Sequence, residues 1–108
     1  MTGSASGHGP ELGQKCLPQL GNVREQIEQI DQQLVQLIGR RLELAKQAGE
    51  AKRALGTFTL DPEREAAVVR RAAQQGRSAG LDEEAIRAVF WQIIGMSRRS
   101  QQRAQDGD

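Results

Sequence analysis

The sequence predicts an all-α fold with a long first helix, and three observations carry that prediction. First, apolar residues recur in steps of four and three from Val23 to Leu55: Val23, Ile27, Ile30, Leu34, Leu37, Arg41, Leu44, Ala48, Ala51, Leu55. Nine of these ten positions are apolar, as a buried helical seam requires. Second, Asp61-Pro62 and Leu81-Asp82 read as the starts of two further helices. Third, no run shows strand alternation bounded by turn residues.

The first helix is expected to open at Asn22 as N-cap, with Glu25 as capping-box partner, and to stop at Gly56. About 34 residues at about 1.5 Å each give roughly 50 Å. That is longer than a small domain is wide, so the helix needs a partner along its length, most simply a second copy of itself. After a short connection over 56–60, Asp61 caps a second helix with Pro62 at its first position, running to about Gly76. Gly76 and Gly80 mark the next turn. Asp82 caps the third helix, with Leu81 placed to staple onto Ile86. Its apolar stripe is Ile86, Phe90, Ile93 and Ile94, continued by Ser97 and Gln101. Residues 1–20 are rich in Gly, Ser and Pro and read as a flexible leader, 21–104 as the folded domain and 105–108 as a disordered tail.

Composition excludes several function classes. Fifteen basic and fourteen acidic residues leave a net charge of +1, with no general pull toward nucleic acid or membrane. Arg98, Arg99 and Arg103 make the C-terminal end basic, without a recognition motif. A lone histidine, His8, leaves no material for a zinc site or a His-based triad. A lone cysteine, Cys16, allows no intrachain disulfide and points to a reducing, cytoplasmic compartment. No apolar run reaches membrane-spanning length, and the first thirteen residues lack the apolar core of a signal peptide. At 108 residues a single core is marginal, which again favours oligomerisation.

Polar residues on apolar faces mark the candidate site. Arg41 occupies a seam position, where a guanidinium needs an anionic partner from the protein or from a ligand. Lys52, eleven residues on, returns to within about 20° of the same face and roughly 16 Å along the axis, leaving room for a small dianion between the two side chains. The plain alternative is an arginine snorkelling to solvent. Asp61, Arg64 and Glu65 cluster at the start of the second helix, where an N-terminus favours anions and where acid–base pairing is also ordinary. Ser97 and Gln101, one turn apart, extend a core stripe or reach the domain edge. None is a nucleophile with an adjacent base. The set suits a small polyanion held by charge-assisted hydrogen bonds.

The order and spacing of these residues resemble the all-helical class of chorismate mutases. The resemblance spans about residues 22–102: Val-Arg-Glu-Gln-Ile-Glu-Gln-Ile-Asp at 23–31, Arg-Arg-Leu-Glu-Leu-Ala at 40–45, Lys52, Asp-Pro-Glu-Arg-Glu at 61–65, Gly-Leu-Asp at 80–82, Phe90, Ile93-Ile94, Ser97 and Gln101. It implies an intertwined six-helix homodimer with two active sites, in which Arg24 reaches the other protomer's pocket. Arg24 lies seventeen residues before Arg41, roughly 25 Å along the helix, so an antiparallel partner helix could bring it there. The implied reaction is the cofactor-independent rearrangement of chorismate to prephenate. By that resemblance Arg24, Arg41 and Arg64 grip the carboxylates with help from Ser97, Lys52 and Gln101 donate to the ether oxygen, and Asp61 and Glu65 hold the ring hydroxyl. The stretch Gln-Lys-Cys-Leu-Pro-Gln-Leu-Gly-Asn-Val-Arg at 14–24 also resembles isochorismate pyruvate-lyases, which tend to lack the acidic pair. A relative acting on 4-amino-4-deoxychorismate would suit Asp61 and Glu65 equally. A coiled-coil dimerisation module is the non-enzymatic alternative; it accounts for the heptads but not for Arg41, Ser97 or Gln101.

Overall fold

The computed structural model describes residues 2–58 and 60–106. They form three α-helices: α1 (Thr2–Ala54), α2 (Pro62–Ser78) and α3 (Glu83–Asp106). No strand occurs among the described residues, as the sequence pattern predicts. The chain divides into two units, Met1–Leu37 and Ile38–Asp108, and α1 contributes to both.

The first unit is helical, and all of its residues from Cys16 to Leu37 are exposed. Its seam residues Val23, Ile27, Ile30, Leu34 and Leu37 are all exposed, Ile30 by 53% and Leu37 by 60%. A helix in water gains its stability chiefly from burying an apolar face, so this face lacks its covering within the unit. α1 begins at Thr2, not at Asn22, and residues 2–20 are helical where the sequence suggested a flexible leader. The reason is visible in the apolar steps, which continue backward from Val23 to Leu20 and Cys16 and give the helix no stop. Asn22 is not a cap; its Oδ1 accepts from the Gln26 side-chain amide at 3.4 Å. The opening turns have poor helix formers in Gly3, Gly7, Gly9 and Pro10 and no acid in the first turn.

The second unit contains the end of α1, all of α2 and all of α3. α1 stops in a Schellman motif: Gly56 takes a φ of 73°, its N–H donates to Arg53 O at 3.0 Å, and Thr57 N–H donates to Lys52 O at 2.9 Å. Asp61 caps α2, its Oδ1 accepting from Arg64 N–H at 3.1 Å, with Pro62 at the first helical position. α2 ends in a second Schellman motif around Gly80, whose φ is 79°. Asp82 caps α3 by accepting from Glu84 N–H at 3.0 Å. α3 reaches Asp106, so positions 105 and 106 are helical and not part of a disordered tail. No glycine or proline lies between Ser97 and Asp106 to stop it. The remaining tail positions, 107 and 108, lie outside the described residues.

α2 and α3 pack as an antiparallel pair around Val69, Ala72, Ala73 and Ile94. The alanines explain the close approach, because a small side chain lets two helix axes draw together. Gly76 is the extreme case. The sequence pattern made it a turn residue, but it lies inside α2, buried, against Ile86 of α3. A Cβ at this position would sit 2.7 Å from Ile86 Cγ1, and the β-branched Ile86 has little freedom to retreat.

Gly76→Ala therefore tests this packing. In an open helix the change would stabilise by about 1 kcal/mol through propensity, but here overpacking should outweigh that and destabilise by about 1–3 kcal/mol. The expected readout is a lower urea midpoint with an unchanged m-value. A raised midpoint would show that Ile86 does not approach Gly76 this closely.

Candidate active site

One cleft of about 280 Å³ opens in the second unit, the scale of a small-molecule site. The end of α1 supplies Arg41, Ala45, Gly49 and Lys52, which share one helical face. The start of α2 supplies Asp61, Arg64 and Glu65, and α3 supplies Ser97, Arg98 and Gln101. Apolar wall comes from Leu44, Ala48, Val68 and Ile94.

Seven of the eight residues picked out by pattern and resemblance therefore line a single cleft: Arg41, Lys52, Asp61, Arg64, Glu65, Ser97 and Gln101. Arg24 is not among its lining; it lies exposed in the first unit. Arg41 and Lys52 are half-buried and Arg64 is exposed at the rim. None of the three has an ion pair among the described residues, so their positive charge is directed at no protein carboxylate.

The polar groups differ in how much of their capacity the protein already uses. Gln101 donates one amide hydrogen from Nε2 to Ala45 O at 2.9 Å, which pins the side chain and leaves its second hydrogen available. That reach depends on Gly49, buried one turn further along α1; a Cβ there would lie 3.3 Å from Gln101 Nε2. Ser97 is buried, and its hydroxyl donates to Ile93 O at 3.2 Å, one turn back in α3. The Ser97 oxygen keeps its lone pairs for a ligand. Asp61 uses one oxygen as the α2 cap and keeps the other. Glu65 is held from α3: Arg98 Nε donates to one of its oxygens at 2.9 Å and the Arg98 terminal NH2 to the other. The hydrogen bond that Arg98 donates to Glu65, and then the negative charge of that carboxylate, raise the Arg98 guanidinium above its usual value.

Arg98 and Gly49 are the residues that sequence reasoning missed. From the sequence Arg98 reads as part of a basic C-terminal end, although its place four residues after Ile94 and three before Gln101 sets it beside the apolar stripe, where Arg99 does not fall. Gly49 did leave a signal, as an isolated glycine inside a strong helical pattern between residues that favour helix.

Known proteins with similar sequences fit this arrangement. The chain is 36% identical over 75 residues to the isochorismate pyruvate lyase of Pseudomonas aeruginosa, covering 69% of this chain and 73% of the lyase. It is 32% identical over 78 residues to the chorismate mutase of Methanocaldococcus jannaschii, covering 72% of this chain and 79% of that enzyme. It is also 34% identical over 71 residues to the T-protein of Haemophilus influenzae, of which the match covers 19% of the length and 66% of this chain. The chain thus spans about a fifth of the length of this last relative. Residues 23–102 match the chorismate mutase type II family, the same stretch that builds the cleft, and the chain belongs to that family.

Proposed function

We propose that this protein catalyses the rearrangement of chorismate to prephenate, an isomerase reaction of the shikimate pathway. The observation that carries the reading is the convergence in one small cleft of Arg41, Lys52 and Arg64, all without an ion pair among the described residues. A dicarboxylate with an internal ether is the ligand those cations suit. The reaction is unimolecular and pericyclic and requires neither nucleophile nor general base. The protein's task is to hold a flexible dianion in its reactive chair and to stabilise negative charge on the ether oxygen as the C–O bond breaks.

Arg41 and Arg64 bind the carboxylates, with the Ser97 oxygen turning its hydrogen toward one of them when it releases Ile93 O. Lys52 and the free amide hydrogen of Gln101 donate to the ether oxygen. Gln101 is well suited, because the bond to Ala45 O holds it in place before substrate arrives. Asp61 and Glu65 accept from the ring hydroxyl. Only the contacts to the ether oxygen strengthen as the bond breaks, so Lys52 and Gln101 act mainly on turnover.

The same reading takes the working form as a homodimer, with Arg24 entering the partner's cleft. Its support is the exposed apolar seam from Val23 to Leu37, which carries Arg24 beside it and has no covering in its own unit. The compartment proposed is the cytoplasm, in keeping with the exposed free thiol of Cys16; no described helix is long and apolar enough to cross a membrane. The relative from Pseudomonas aeruginosa favours one second reading, elimination of pyruvate from isochorismate. The pair Asp61 and Glu65 argues for the mutase, since it provides for a hydroxyl at the ring position that chorismate fills.

Offered chorismate and isochorismate separately, the protein should form prephenate from the first and little salicylate and pyruvate from the second, as resolved by chromatography. Salicylate as the dominant product would make it a lyase.

Lys52→Ala should lower kcat by about 10²–10³, the scale for removing one donor to a developing oxyanion, while circular dichroism stays unchanged. A folded Lys52→Ala protein with normal turnover would remove Lys52 from the mechanism.

Mixing Arg24→Ala with Lys52→Ala tests the shared site. Each is inactive alone, but a mixed dimer regains one intact site, so equimolar subunit exchange should restore about a quarter of wild-type activity. No restoration after verified exchange would place Arg24 outside the partner's cleft.

A further inference from the structure

The Arg98–Glu65 pair has a consequence for which substrate the cleft accepts, an inference that rests on the reading of the site just proposed. Glu65 stands at the start of α2 with only 16% of its side chain exposed, and Arg98 stands on α3 with 51% exposed. The guanidinium meets the carboxylate with two donors, one to each oxygen. That fork geometry fixes the orientation of the carboxylate as well as balancing its charge. It also leaves each Glu65 oxygen a further lone-pair site, since an ionised carboxylate offers about four. Glu65 can therefore still accept a hydrogen bond from a neutral hydroxyl.

What Glu65 cannot offer in this state is an uncompensated negative charge. With Arg98 in place, the six charged side chains that this chain supplies to the cleft are four cations and two carboxylates. Without Arg98, the net positive charge of the cleft falls by one. The end of the cleft near Asp61 and Glu65 would then present two carboxylates with no pairing cation from α3. A substrate carrying an ammonium in place of the ring hydroxyl has one unit less of negative charge and would find its counter-charge there. We propose that Arg98 is a positioning residue that sets substrate choice: by occupying both oxygens of Glu65 it makes this end of the cleft a hydroxyl acceptor and disfavours an ammonium.

Glu65 is mostly buried and Arg98 half exposed, so removing Arg98 can also cost stability, and the readout must be selectivity, which a purely structural role would not move. Wild type, Arg98→Met and Arg98→Lys would be compared on chorismate and on 4-amino-4-deoxychorismate, by kcat/KM and by calorimetric binding. The expected result is that Arg98→Met shifts the ratio of the two specificity constants about tenfold toward the amino substrate, the scale of one hydrogen bond to a charged group. Arg98→Lys should fall between, because it keeps the charge but loses the fork. A wild type that converts chorismate, with a ratio that does not move in Arg98→Met, overturns the assignment of Arg98 and leaves the mutase reading standing. A wild type that neither binds nor converts either compound overturns the mutase reading and this inference with it.

Discussion

Unbalanced positive charge in a half-buried cleft is the constraint on which the rest of the molecule depends. Arg41, Lys52 and Arg64 face the same small space with no carboxylate of their own among the described residues. Partly desolvated cations without a counter-charge cost stability, and an anion bound in the cleft would offset that cost. On the proposed reading, the same charges are already oriented before substrate enters. Two carboxylates temper the excess in different ways. Asp61 is shared with the α2 N-terminus, and Glu65 is shared with Arg98.

Preorganisation of these groups comes from ordinary helical devices placed at the cleft. The Asp61 cap fixes where α2 starts, and so fixes Arg64 and Glu65 one turn in. The Schellman motif at Gly56 ends α1 shortly after Lys52 and turns the chain toward that cap. Gly76 lets α3 lie close against α2, which brings Ser97 and Arg98 to the wall. Gly49 leaves the gap through which Gln101 reaches Ala45 O. Glycine thus serves packing at two sites where its conformational freedom is irrelevant, since both lie in regular helix. The rearrangement proposed for this cleft has no nucleophile to activate, so accuracy of placement would carry its effect.

The first unit presents the opposite situation, an apolar seam with polar surroundings. Its heptad steps are the strongest pattern in the chain, yet every seam residue from Val23 to Leu37 is exposed. α1 carries the seam in the first unit and Arg41 and Lys52 in the second.

Much of this was legible in the chain itself, because the deciding interactions are local. Seven-residue steps, Asp-Pro and Leu-Asp starts and glycine stops act over one or two turns, and they placed the three helices and most of their ends. At the N-terminus two local signals disagree: composition argues for a flexible leader, while the apolar steps run on through Leu20 to Cys16. Cleft-lining residues were readable where a polar side chain interrupted an apolar face, as with Arg41, Ser97 and Gln101. Tertiary structure alone decided the contacts between helices. That Arg98 meets Glu65, whether Gly76 is a turn or a packing notch, and what the Gln101 amide grips all depend on the rotation and separation of helices far apart in sequence. Side-chain period specifies a face of a helix, but the partner that face meets is set only when the helices pack.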